Sequence, residues 1–364
     1  MTRTNKIIEK HYSQYNIFKS TGFIVPTLFA FLITEVGVSA TQILQVAAFY
    51  MLLPFLLEIP LGLFADKLGH KLTVMIGVCF QIGSCLSLLF IRGVASYHVY
   101  LIAIYTAGAC LSGAETALIY AQHKLSNTQY LKNYIYKLNS DFYKYTIFFL
   151  IAGGLSYSVN PKIPIVLQII SFLIALYHLS RIDKQQGQLK NTRLTKNSIA
   201  DLYISLQFVA KDKPFLATCI ISAIFTAAIR INDKTIQPQM LTYINQSSYF
   251  LIGLVYAIGN AVSSKSSMIF KRFADRFTDN AIQYIVLSVV MGSSFFIMSL
   301  NSVYCVIPGF LLLCFFKAAH RPLITHDLNS NIPFKKIACY NYFLFSLVRC
   351  NIWRCNTLDI IIIF

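Results

Sequence analysis

Apolar residues run in long stretches along this chain, and polar residues fall in short breaks between them. Ten stretches stand out, near 17–35, 43–64, 72–92, 97–121, 141–159, 163–180, 214–232, 248–269, 281–300 and 303–319. Each approaches the ~20 residues that a helix needs to cross a bilayer. The pattern predicts an all-α polytopic membrane protein. One polar segment is longer than the rest: 181–213 carries Lys184-Gln185-Gln186-Gly187-Gln188 and no apolar core, and reads as a central linker. It divides the chain into an N-terminal bundle of six helices (1–180) and a C-terminal part (214–336) with about four.

Composition agrees with this pattern. Of 364 residues, 56% are hydrophobic and only 12% charged, and mean hydropathy is +0.60. A soluble domain carries about 25% charge. The net charge of +17 does not point to nucleic acid, because the basic residues form no patch with interleaved aromatics. They recur in alternate breaks: Arg3, Lys6 and Lys10; Lys67 and Lys71; Lys124, Lys132 and Lys137; Arg181 to Lys196; Lys271, Arg272 and Arg276; Lys335 and Lys336. The other side holds little beyond Arg92, Lys162, Arg230 and Lys234. The positive-inside rule makes the first set, and the N-terminus, cytoplasmic. Residues 1–19 are basic and polar and do not resemble a cleavable signal peptide.

No enzyme signature is present. There is no phosphate-cradling glycine loop, serine elbow or paired-histidine zinc motif, so neither ATP nor any other cofactor is expected. The cysteines lie mostly singly inside apolar stretches (Cys79, Cys85, Cys110, Cys219, Cys305, Cys314), which predicts structural thiols and no metal site. Many tyrosines stand at stretch ends (Tyr97, Tyr100, Tyr134, Tyr136, Tyr143, Tyr304) and read as interface anchors.

The most informative segment is Glu58-Ile59-Pro60-Leu61-Gly62-Leu63-Phe64-Ala65-Asp66-Lys67-Leu68-Gly69-His70-Lys71, a tight polar hairpin between two apolar stretches. Its glycines allow close helix approach and a sharp turn. Asp66 stands near a helix C-terminus, where the macrodipole disfavours an anion by roughly 0.3–1 kcal/mol. Such a carboxylate calls for a partner, and its comfort can report whether two helices are together or apart. Phe64-Ala65-Asp66-Lys67 recurs, decayed, as Phe273-Ala274-Asp275-Arg276 after the second stretch of the other half. That is the mark of an internal duplication.

Gly62, Ala65, Asp66, Lys67, Gly69 and Lys71 resemble the signature loop between helices two and three of the major facilitator superfamily. Glu58-x-Pro60-x-Gly62 resembles its drug-exporter-like bacterial branch. His70 stands where that family usually has Arg. The resemblance implies a six-helix N-terminal bundle and a C-terminal bundle, here incomplete, that rock about a central site to give alternating access. It implies a multi-pass protein of the bacterial cytoplasmic (inner) membrane that moves small molecules, with protons as coupling ion. Efflux by an antiporter is the leading direction, with lipophilic or cationic cargo. Solute import on the same fold is one alternative and a truncated, non-transporting remnant another. Gly62, Asp66, Lys67, Gly69 and Lys71 would form the gating motif.

Ser112-Gly113-Ala114-Glu115-Thr116-Ala117 resembles the fourth helix of that branch. Glu115 is an ionisable group inside an apolar stretch, and such groups usually face a cavity or a partner. It reads either as a proton or substrate carboxylate or as a structural hydrogen-bonding group. Glu58, eight residues before Asp66, reads as a second proton site or as a packing carboxylate. Gly113 suits helix packing, and Gly153-Gly154 suits helix packing or a flexible point. Arg230, Asn232, Asp233, Lys234, Gln237 and Gln239 read as a solvated face or a substrate entrance. Beyond Lys336, Arg349 and Arg354 interrupt what would be an eleventh span, and 337–364 reads as an aberrant, out-of-register tail.

Overall fold

The structure is a computed structural model that describes residues 3–122, 128–182, 213–243, 249–276, 280–300 and 302–330. Most of the expected linker and the whole of the expected tail, 337–364, lie outside the described residues. Twelve described helices follow in order: α1 (Arg3–Lys19), α2 (Leu28–Thr34), α3 (Ala40–Tyr50), α4 (Leu53–Leu68), α5 (His70–Phe90), α6 (Val94–Gln122), α7 (Thr128–Val159), α8 (Ile163–Ser180), α9 (Lys213–Leu241), α10 (Tyr249–Arg276), α11 (Asn280–Met298) and α12 (Val303–Ser330). No strand occurs among the described residues.

The helices from α5 onward occupy the expected apolar stretches. The first two stretches differ, because each is broken in two. In the first, α1 starts well before the apolar run and ends at Lys19, and α2 resumes at Leu28. Between them Gly22 takes φ 69°, and Pro26 has no amide hydrogen to donate and disfavours helix at Val25. In the second, α3 opens with a capping box between Ser39 and Gln42 and stops at Tyr50, and α4 restarts with Pro54 in its first turn, where proline is tolerated. By length and hydropathy alone, three described helices can cross a membrane: His70–Phe90, Val94–Ile119 and Ile163–Ser180. The others are shorter, or polar residues interrupt them.

The described residues fall into two compact units. The first holds α1 to α8 together with Lys234–Ala261, which is the end of α9 and the beginning of α10; the second holds 213–233 and 262–330. In the first unit α5 packs along α6 and α8, α4 packs on α6, and α1 lies against α8 and α7. In the second, α11 and α12 pair closely. Gly309 lets them approach: a Cβ there would stand 2.4 Å from Met298 Cγ and 3.0 Å from the Ser294 carbonyl oxygen.

Candidate functional site

In α1, Tyr12, Tyr15, Asn16 and Lys19 recur at intervals of three and four, which places them on one helix face. All four are buried, and Lys19 and Tyr15 have no exposed surface at all. Opposite them, α6 presents Glu115, 5% exposed. Lys19 Nζ donates to both carboxylate oxygens of Glu115, at 2.7 and 2.7 Å. The Tyr15 hydroxyl donates to Oε1 of the same carboxylate. Lys19 Nζ also lies 5.4 Å from the centroid of the Tyr15 ring, within cation–π range. Tyr12 meets Tyr15 edge-on, with centroids 5.6 Å apart.

This is an ion pair stripped of water. Desolvating two charges is expensive, and the pair is tolerated only when its geometry is good and its remaining polar atoms are bonded. Here both carboxylate oxygens are used. The ammonium sits at the last residue of α1, where the helix macrodipole favours a cation.

The backbone break after Lys19 is held by side chains from three helices. Irregular backbone that is buried must find its hydrogen bonds inside the protein. Two buried glutamines supply them. From α8, Gln168 Oε1 accepts from the Phe23 amide at 2.9 Å, and its Nε2 donates to Thr21 Oγ1 at 3.0 Å. From α9, Gln237 Oε1 accepts from the Phe29 amide at 3.0 Å, and its Nε2 donates to the Val25 carbonyl. Thr146 on α7 donates to the Ser20 carbonyl at 3.3 Å. Gly153 lies against the break so closely that a Cβ there would fall 2.0 Å from the Phe23 carbonyl oxygen.

The expected site residues divide accordingly. Glu115 meets a cation, Lys19, at the end of the basic and polar segment 1–19. Gly153 packs on the break, and a Cβ on Gly154 would lie 3.1 Å from the Tyr249 carbonyl oxygen at the start of α10. Glu58, Asp66 and Lys67 lie along α4, Asp66 in its last turn, and Gly113 lies in α6; their side chains are outside those described. The hairpin is reduced to one residue: α4 ends at Leu68, α5 starts at His70, and Gly69 between them takes φ 92° and ψ 144°. Gly62 has open space where a Cβ would be. Lys71 caps the far end of α8, donating to the carbonyl oxygens of Ser180 at 2.9 Å and of Ile182. The two copies of the repeated tetrapeptide both finish a helix, α4 and α10.

Two expectations change. Asn232 and Gln237 are not a solvated face but fully enclosed, and Asn232 Nδ2 donates to Met298 Sδ at 3.0 Å. Tyr97 and Tyr100 are not interface anchors: both are buried, their rings stacked 6.3 Å apart at 14°. Tyr304, by contrast, is 86% exposed. Lys19 and Gln168 escape sequence reading, although each is a long polar side chain beside or inside an apolar stretch, and that is the signal that marks them; Gln237 is singled out by sequence, but with the wrong surroundings.

The sequence profile of the Major Facilitator Superfamily matches residues 17–346. The fold is similar to several solved transporters. A structure of the nucleoside transporter NupG, in a mutant form, superposes with TM-score 0.75 at 11% identity, covering 98% of this chain and 89% of that one. A D-xylose-proton symporter gives TM-score 0.64 at 12% identity, with 99% and 89% covered. A bacterial homolog of the human lysosomal transporter Spinster gives 0.67 at 12% identity, with 99% and 82% covered. No curated protein sequence matches the chain.

Proposed function

The chain belongs to the major facilitator superfamily, a family of multi-pass membrane transporters and not of enzymes, and from that premise we propose a proton-coupled carrier in which Glu115 binds the proton. The observation that carries this reading is the buried Lys19–Glu115 pair at 2.7 Å. A proton arriving at Glu115 removes its charge, dissolves the ion pair and leaves Lys19 seeking a new partner. The free-energy difference between a paired and an unpaired buried ammonium is several kcal/mol, enough to bias a two-state protein. Alternating access about a site near the bilayer midplane converts that bias into transport.

The hairpin residues Gly62, Asp66, Lys67, Gly69 and Lys71 form the switch of this mechanism. Asp66 acts as the latch, and Lys71 fixes the hairpin to the end of α8. The basic residues in alternate breaks set the N-terminus inside, in a bacterial cytoplasmic membrane.

Two directions follow from different features. Symport is favoured by the pair itself: Lys19 already occupies the carboxylate that a cationic cargo would need. Export is favoured by Glu58-x-Pro60-x-Gly62 and its likeness to drug exporters. Reconstitution into vesicles under an imposed pH gradient, with a panel of solutes and dyes, separates them. Protons moving with the solute establish symport, and protons moving against it establish export. Protons that still move with Glu115→Gln remove Glu115 from the mechanism. A folded protein that moves nothing under any gradient is a remnant, and the carrier reading fails.

A further inference from the structure

The charge balance at the pair also limits what the carrier can hold. Lys19 is an ammonium with no exposed surface, and among the described residues it bonds no carboxylate except Glu115. Once Glu115 is protonated, the protein offers Lys19 a neutral acid in place of an anion. A buried cation without a counter-charge is among the costliest arrangements in a protein interior. Other groups at the site suit an incoming oxyanion. Tyr15 already donates its hydroxyl to a carboxylate oxygen, and the Tyr12 and Tyr15 rings provide an apolar flank.

Resting on the proton-coupled reading, we propose that the cargo is a small organic monoanion whose carboxylate or sulfonate group takes the place of Glu115 on Lys19 while Glu115 carries the proton. The empty site holds one positive and one negative charge. The loaded site holds Lys19, the anion and a neutral Glu115, again without net charge. Both forms can therefore be enclosed in a low-dielectric bundle, which a cationic or dianionic cargo would not permit. Among the described residues, the titratable groups facing the pair are Tyr12 and Tyr15 from α1, with Tyr134 of α7 next to Tyr12. None of the three supplies a negative charge in the neutral range.

The test uses the purified full-length protein in weakly buffered solution with a pH indicator. Five probes are compared: benzoate, benzenesulfonate, sulfate, benzenesulfonamide and benzyltrimethylammonium. Between pH 6 and 8 none of the five changes its own charge appreciably, so any pH dependence belongs to the protein. Benzoate or benzenesulfonate should bind with uptake of one proton, and affinity should fall about tenfold per pH unit on the alkaline side. Glu115→Gln should bind the same monoanions with no proton uptake and no pH dependence. Lys19→Arg should retain binding, and Lys19→Met should lose it.

Preferred binding of benzyltrimethylammonium, benzenesulfonamide or sulfate overturns the proposal. So does a folded Glu115→Gln protein that binds neither monoanion. Monoanions that bind the wild-type protein without proton uptake instead refute Glu115 as the proton site and leave the anion site standing, so the two failures are distinguishable.

Discussion

Lys71 Nζ lies 2.9 Å from the carbonyl oxygen of Ser180 and also donates to that of Ile182, so the residue that closes the hairpin motif caps the C-terminus of α8. The last carbonyls of a helix lack intrahelical donors, and a cation there is favoured by the macrodipole. Lys71→Ala should lower stability by about 0.3–1 kcal/mol, with Lys71→Arg close to wild type. Thermal unfolding of the purified proteins measures both, and equal losses in the two variants would contradict the capping role.

The buried pair should show strong non-additivity. Removing one partner strands the other charge, so Lys19→Met and Glu115→Leu should each cost roughly 3–5 kcal/mol. The double variant should recover much of that loss, because two apolar side chains leave no charge to desolvate. Transport should be absent in all three. Unfolding midpoints of the four proteins in one detergent give the coupling energy, and simple additivity would rule out the pair as a unit.

The two glutamines that hold the break should be worth more than their size suggests. Gln237→Leu leaves the Phe29 amide and the Val25 carbonyl without partners, and Gln168→Leu does the same to the Phe23 amide. Each orphaned buried group costs about 1–3 kcal/mol. Both variants should unfold earlier, and amide hydrogen exchange at Phe29 should speed up in Gln237→Leu but not in Gln168→Leu.

Alanine substitution should separate the glycines by what they face. In Gly153→Ala the new methyl meets the Phe23 carbonyl oxygen, so α7 or the break must shift, at roughly 1–3 kcal/mol. Gly62→Ala meets nothing within 4 Å and should be neutral or slightly stabilising. Reversed ranks in a denaturation series would refute the close contact at Gly153.

Much of the architecture is legible from hydrophobic patterning, because lipid selects for length and apolarity more strongly than for any particular packing. From α5 to α12 the helices stand where the apolar stretches are. The first helix is not legible in this way. Arg3, Lys6 and Lys10 make α1 look like a soluble tail, and only the spacing of Tyr12, Tyr15, Asn16 and Lys19 betrays a polar stripe turned inward. A sequence shows that Glu115 needs a partner, but not which of 31 lysines and arginines provides it. That choice is made in three dimensions, across 96 residues of chain. Gln237 is similar: in one dimension it lies in a cluster of charges, and only packing encloses it.

The single-residue joint at Gly69 has a mechanical consequence. A φ of 92° with ψ 144° belongs to a region of backbone space open to almost nothing but glycine. With one residue between them, α4 and α5 have no slack. A side chain at Gly69 would strain a joint that sets the angle between α4 and α5, and with it the contact of Lys71 with the end of α8. As built, the hairpin is a stiff elbow rather than a slack tether.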